Sequence, residues 1–340
     1  MSTVAAGARS AVADTRTGGV DFGKSATRLL LRPELPSLVF LLAMVLVFAT
    51  TAKGFGTADN LQQILAQVSI IGIIALALNQ VILAGEIDIS VGSSLAICAA
   101  AAGAVAERTG GLLLPLLTAV GIGLVIGVVN GALVTRARIP SIIVTLGMLY
   151  ILRGVEQVYN SVGLSGIPAS SRRLGQGNVL GLNVSMVVFL VMFAIAYALA
   201  RHTRWGRDLP AVGGNRAAAR TAGLPVRTVR LLAFVMVGVC TGVAAMVYLG
   251  QVAAVQSTAG TGLELQAIAA VVIGGTSISG GRGSTFAPLV GAVLIGTMLN
   301  GMNLLGIVER WQDVFTGAVI LLAIASDVVR RRILKRMVTA

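Results

Sequence analysis

Few side chains in this 340-residue chain could do chemistry: one histidine, two cysteines and 13 Asp and Glu stand beside 26 Lys and Arg. His202 has no second histidine with which to share a metal, and no Ser–His–acid set can be built around it. Cys98 and Cys240 each sit in an apolar run, where a thiol reads as a small core side chain rather than a metal ligand or half of a disulfide. Gly18-Gly19-Val20-Asp21-Phe22-Gly23-Lys24-Ser25 fits the phosphate-loop pattern GxxxxGK(S/T). That loop works only between a buried strand and a helix that aims its N-terminus at the phosphates. The preceding MSTVAAGARSAVADTRT has no strand alternation and an apolar anchor follows soon after, so the match reads as an accident. The sequence thus offers no catalytic residue, no metal site and no cofactor site of its own.

What remains is the chemistry of polar groups in an apolar medium. Two glycine-flanked stretches carry most of it, LAGEIDISVGS over 83–93 and VIGGTSISGGRGS over 272–284. Glycine permits irregular backbone, and at membrane depth such backbone survives only when buried in protein or lining a water-filled cavity. A carboxylate there is costly and marks function, which singles out Asp88. The competing reading makes both stretches ordinary turns with Asp88 solvated, and Glu86 is assigned to that solvated class. A buried Asp88 would need a partner, and Arg282 of the second stretch is the expected one. Ser90 lies beside Asp88, and Asn79, Asn130, Thr145, Gln266 and Asn300 lie inside the apolar segments. These residues either bond neighbouring helices or line a path for hydroxyl-rich cargo. No lysine or chain of acids runs through the apolar centre, so a proton relay finds little support. Aromatic residues total only 15, so a sugar would be passed along rather than gripped by stacking.

The elements that hold these residues must be membrane helices. Residues of the AVILMFWYC set make up 56% and charged residues 11%, with a mean hydropathy of +0.91. A soluble domain carries about 25% charge, and this chain lacks the polar surface to cover such a core. The sequence therefore predicts an all-α polytopic membrane protein of about ten spans, near 36–52, 61–83, 91–106, 112–134, 140–155, 184–200, 231–250, 265–279, 285–305 and 312–328. With the N-terminus inside, 20 Lys and Arg fall on the cytosolic side and six on the external side. That bias predicts N-in/C-in topology and accounts for the net charge of +13 without nucleic acid. The expected organisation is a flexible cytosolic segment over 1–35, a transmembrane domain over 36–328 and a basic cytosolic tail over 329–340. Two loops are long: an external Gly/Ser/Asn-rich one at 156–183 and a basic cytosolic one at 201–230. Glycines at four-residue spacing (Gly123, Gly127, Gly131; Gly238, Gly242) read as helix-packing stripes.

The basic loop runs TRWGR, AVGGN, then RAAARTAGLPV. Asn215 is a plausible N-cap, the alanines favour a short helix, and Gly223 is a good stop. Read alone, the segment is equally a helix that docks in a partner's groove and a plain positive-inside loop.

GEIDISVGS, IPSIIVTLGMLYILRG, WGR…AVGGNRAAARTAGLPV and LELQAIAAVVIGGTSISGGRGS together resemble the permease subunits of bacterial monosaccharide ABC importers of the ribose, xylose, arabinose and galactose type. The wider superfamily also holds branched-chain amino acid permeases. Glu86 departs from the family, which often has a second glycine there. The resemblance implies a ten-span fold similar to the vitamin B12 importer permease, in the bacterial inner membrane. It implies a second permease copy, a cytosolic ATPase that binds the ATP, and a periplasmic sugar-binding protein that delivers the monosaccharide. It also places a coupling helix in the loop between spans six and seven, which makes Arg207, Asn215, Arg216, Ala219, Arg220 and Gly223 the expected ATPase-coupling residues. Asn79, Asp88, Ser90, Asn130, Thr145, Gln266, Arg282 and Asn300 are the expected path or gate. A secondary, ion-coupled transporter is the alternative from another class; it would need more membrane-embedded ionisable groups than Asp88.

Overall fold

The computed structural model describes residues 35–322, apart from 162, 180 and 309, and residue 325. All but Leu35 of the expected N-terminal segment, including the match at 18–25, and the basic tail at 329–340 lie outside the described residues. The chain runs α1 (Leu35–Thr51), α2 (Ala58–Leu83), α3 (Val91–Thr109), α4 (Leu113–Thr135), α5 (Ser141–Tyr159), β1 (Leu164–Ser165), α6 (Ala169–Gln176), β2 (Asn178–Val179), β3 (Leu182–Asn183), α7 (Val184–His202), α8 (Arg204–Gly214), α9 (Arg216–Thr221), α10 (Val226–Val252), β4 (Ala254–Val255), α11 (Leu263–Ile273) and α12 (Ala287–Leu304). A final helix, α13, covers 310–322. The strands are two-residue pieces, β1 antiparallel to β4 and β2 to β3.

Among the described residues, α2, α4, α5, α7, α10 and α12 are long and apolar enough to cross a membrane. Their outward surface is the reverse of a soluble protein's: Leu113, Val125, Ile143 and Val158 are between 61% and 83% exposed. Asn79, Asp88, Asn130 and Glu156 are at most 2% exposed. Apolar outside and polar inside is the arrangement a bilayer selects. The protein is a polytopic membrane protein.

Helix α2 is the central post, buried from Val68 through Leu83 except for Ile70. The two glycine stripes face each other across α4 and α10. A Cβ on Gly123 would overlap the Gly238 carbonyl, one on Gly127 the Phe234 carbonyl, and one on Gly242 the Ala119 carbonyl. Backbones this close gain dispersion that side chains in lipid cannot supply.

Three local expectations differ from the structure. The span expected over 265–279 stops as a helix at Ile273, because Gly274 and Gly275 end it. The long Gly/Ser/Asn-rich loop at 156–183 contains α6, pressed so closely on α10 that a Cβ on Gly175 would overlap the Gly250 backbone. The basic loop holds an 11-residue helix, α8, ahead of the short one.

Candidate functional site

Both broken stretches begin with the same helix stop. Gly85 and Gly275 take left-handed φ values of 75° and 108°. In the first, the Gly85 N–H donates to the Ile82 carbonyl (2.9 Å) and the Glu86 N–H to the Val81 carbonyl (3.0 Å). In the second, the Gly275 N–H donates to Val272 (3.0 Å) and the Thr276 N–H to Val271 (3.2 Å). This pair of bonds satisfies the last carbonyls of each helix and turns the chain away from its axis.

Beyond the stop, the first break is tied by charge and side chains. Glu86 Oε1 accepts from Arg216 Nη2 (2.5 Å) at the start of α9 and from Arg230 Nε (2.6 Å) on α10. Arg230 Nη2 also pairs with Glu86, and Arg216 Nη2 donates to the Gly85 carbonyl (2.6 Å). The side chains of Glu86 and Arg230 are 4% and 10% exposed. A carboxylate so deeply placed is tolerable only because guanidinium donors surround it. Glu86 is therefore an ion-pair hub, not the solvated turn residue expected from sequence.

Asp88, also buried, makes no hydrogen bond or ion pair with Arg282. Its Oδ1 accepts from the Ser90 N–H (2.8 Å) and the Ser90 hydroxyl (2.6 Å). Asn130 Nδ2 reaches Asp88 Oδ2 (3.4 Å) and Ser90 Oγ (3.1 Å). Ser141 Oγ accepts from the Ile87 N–H (3.3 Å), and Thr145 sits one turn further on, its hydroxyl donating to Ser141 (2.9 Å). The carboxylate closes a local turn ahead of α3, which is why no arginine is drawn to it. Arg282 is exposed and makes no side-chain hydrogen bond or ion pair among the described residues.

Backbone proximity and Asn79 hold the second break. Asn79 on α2 accepts from the Thr276 hydroxyl (2.7 Å) and donates to the Ser284 carbonyl (3.3 Å). The Gly281 N–H donates to the Leu83 carbonyl (3.0 Å), joining this break to the end of α2.

The basic loop closes on both breaks. Thr203 caps α8 by accepting from the Gly206 N–H (3.1 Å), and the Trp205 indole donates to the Val229 carbonyl (3.1 Å), which fixes α8 against α10. A Cβ on Gly213 would overlap the Leu83 carbonyl and the Gly281 nitrogen; one on Gly280 would overlap Gly85 Cα, and one on Gly281 Gly214 Cα. Five glycines from three segments thus meet with no side chain between them. Asn215 then caps α9 by accepting from the Ala218 N–H (3.0 Å). Gly223, at φ 78°, ends it: the Gly223 N–H donates to Arg220 and the Leu224 N–H to Ala219. Ala219 is buried against the protein itself, whereas Ala217, Ala218, Arg220 and Ala222 are exposed, as is Arg207 on α8.

The family described as "Branched-chain amino acid transport system / permease component" matches residues 60–324. The chain belongs to this permease family. It is 36% identical over 299 residues to the ribose import permease protein RbsC of Escherichia coli (strain K12), covering 86% of this chain and 93% of that protein. It is 34% identical to the L-arabinose ABC transporter permease protein AraH of Azospirillum brasilense, covering 85% and 87%. It is also 34% identical to the autoinducer 2 import system permease protein LsrC of Enterobacter sp. (strain 638), covering 91% and 90%. No solved structure matches the chain.

The permease does not gather the eight expected path residues in one place. Asp88, Ser90, Asn130 and Thr145 cluster at the first break and Asn79 at the second. Asn300 donates to Asn60 (2.9 Å) near the start of α2, and Gln266 is half-buried on α11. Sequence reasoning missed two further acids besides Glu86. Glu156 is fully buried and accepts from Asn160 Nδ2 (3.1 Å), and Glu264, half-buried, lies against Gly92. Glu156 sits on α5 three residues after Arg153, a helical spacing that was readable as a charge pair.

Proposed function

We propose that this permease is the membrane subunit of an ATP-driven importer that carries a monosaccharide across the bacterial inner membrane. It has ten spans in a fold similar to the vitamin B12 importer permease, with both termini in the cytosol. It pairs with a second permease copy, receives sugar from a periplasmic binding protein, and binds no cofactor because the ATP sits on a separate cytosolic ATPase. The relatives named for ribose and arabinose favour a sugar over an amino acid. The six helices long enough to span, the shorter apolar α1 and α11, and the remaining helices α3 and α13 support the count of ten.

The observation that carries the mechanism is the glycine junction. Helix α9 presents Ala217, Ala218, Arg220 and Ala222 outward, a small apolar face with one cation, suited to a groove of the ATPase. Gly213, at the end of α8, touches both breaks with no compressible side chain between. Movement of the ATPase groove is therefore passed to 84–90 and 274–284 as a rigid-body displacement. Arg207, Asn215, Arg216 and Gly223 hold α8 and α9 in shape for that contact. Asn79, Asn130 and Asn300 bond neighbouring helices and position the breaks, and Asp88 and Ser90 shape the first. Gln266 and Arg282 keep free side-chain surface for the path, and buried Thr145 stands with the first break.

The test is uptake into vesicles that hold the permease with its ATPase and binding protein, with labelled ribose, arabinose and leucine as cargo. Sugar uptake driven by internal ATP is expected. Leucine uptake, or uptake driven by an ion gradient without ATP, would overturn the reading. Topology is checked by labelling Ser170→Cys and Asn215→Cys with an impermeant reagent in intact cells: the first is expected to react and the second not.

A further inference from the structure

Beside the junction lies a cavity of about 340 Å3, lined by Glu86 and by Arg138, Arg216, Arg220, Arg227 and Arg230. Five guanidiniums face one carboxylate. Glu86 engages Arg216 and Arg230. Arg138, Arg220 and Arg227 have no acidic partner and no side-chain hydrogen bond among the described residues, and all three are exposed. Like charges gathered around a cavity repel unless an anion sits among them. Arg138 also holds a left-handed backbone, φ 62°, uncommon for a residue with a side chain, while lining the cavity.

The location says which anion. The cavity is bounded by the end of α4 at Val134 and Thr135, by the turn before α5 at Ile139 and Pro140, and by the first two turns of α10 at Arg227 and Arg230. These are the ends of three helices able to cross the bilayer, the depth at which lipid headgroups lie. Directly beside it, Leu133, Ile142 and Ile143 present apolar surface that is 37%, 52% and 61% exposed. A cationic cavity bordered by outward-facing aliphatic side chains fits a molecule with an anionic head and acyl tails.

We propose that this pocket binds the phosphodiester headgroup of an anionic membrane lipid, with its acyl chains lying along Leu133, Ile142 and Ile143. Guanidiniums suit this ligand because their planar donors match phosphate oxygens two at a time. The proposal requires only that the chain lie in a membrane. It does not depend on the cargo, and because Arg216 and Arg220 are shared with the segment offered to the ATPase, the test variants are confined to Arg138 and Arg227, outside α9.

The experiment uses the purified full-length permease, with lipid retention read by native mass spectrometry and thermal stability followed in parallel. Phosphatidylglycerol is expected to be retained over phosphatidylcholine. The double variant Arg138→Gln/Arg227→Gln, which spares the Glu86 ion pairs, is expected to bind phosphatidylglycerol about 30-fold more weakly, as loss of two headgroup-facing cations implies. Arg138→Lys/Arg227→Lys should recover much of the binding, which separates lost charge from lost fold. Three results would overturn the proposal. Equal retention of both lipids by wild type means no headgroup selectivity. Equal stabilisation by inorganic phosphate in lipid-free detergent means a free-phosphate site. Unchanged lipid retention in the glutamine double variant, with loss of ATPase assembly instead, means that the arginines face a protein carboxylate.

Discussion

The two breaks start alike and end differently. Both helices stop on a left-handed glycine with the same pair of backbone bonds. From there the first break is filled with polar side chains: Glu86 between two arginines, and Asp88 folded onto Ser90 and Asn130. In the second, Asn79 holds Thr276 and the Ser284 carbonyl, and glycine backbone meets glycine backbone. Directional, charged ties hold one segment to another through side chains, whereas backbone packed directly on backbone leaves no slack to be taken up. The first break is therefore the charged anchor of the junction, and the second is carried with α8 because no side chain separates their backbones.

That contrast can be broken from either side. The largest effect is expected where there is no space at all. Gly213→Val would drive a branched side chain into Leu83 and Gly281, and we predict a loss of about 4 kcal/mol or more of stability, with uptake abolished. Gly111→Ala, with nothing within 4 Å of its added Cβ, should melt like wild type in the same detergent series. Next is the anchor. Glu86→Ala leaves the buried Arg230 without its counter-charge and is expected to cost about 3 kcal/mol. Arg230→Gln should cost comparably, and the double variant less than the sum, because each removes the same bond. Strict additivity in thermal unfolding would remove Glu86 from its place as hub. Asp88→Ala, which loses two good hydrogen bonds and opens the turn before α3, is expected to cost about 1 to 2 kcal/mol. The smallest effect is at Arg282: Arg282→Ala should stay within about 0.5 kcal/mol of wild type. Combined with Asp88→Ala it should be additive, since no hydrogen bond or ion pair joins the two residues. Coupling between them would restore the ion pair that the structure does not contain.

How much of this was legible in the sequence follows the range of the interactions. Asn215 and Gly223 announce the ends of α9 because a cap is made within a few residues. The glycine stops were visible for the same reason, and the facing stripes on α4 and α10 because their spacing is helical. Helix α8 was not, since proline and paired glycines ordinarily end a helix, whereas here Pro210 lies within it and Gly213 serves a close approach. Asp88 was assigned a distant arginine, while Ser90, two residues on, satisfies it locally. Glu86 failed the opposite way. Its partners lie 130 and 144 residues away, and no local pattern signals a contact of that span. The basic loop's charge reads in the sequence as topology and as contacts to a partner, yet two of its arginines hold Glu86 and two others line the cavity beside it.

The central claim is that α9 and the second break move as one body because the glycines between them leave no slack. Spin labels at Ala217 and Arg282, both exposed, would report their separation by pulsed electron paramagnetic resonance in the reconstituted permease–ATPase complex. The account predicts one narrow distance distribution, unchanged between the nucleotide-free and ATP-bound states, while a second pair from Ala217 to the exposed Asn178 changes. A distribution from Ala217 to Arg282 that shifts or broadens with ATP, in a complex that still transports, would contradict it.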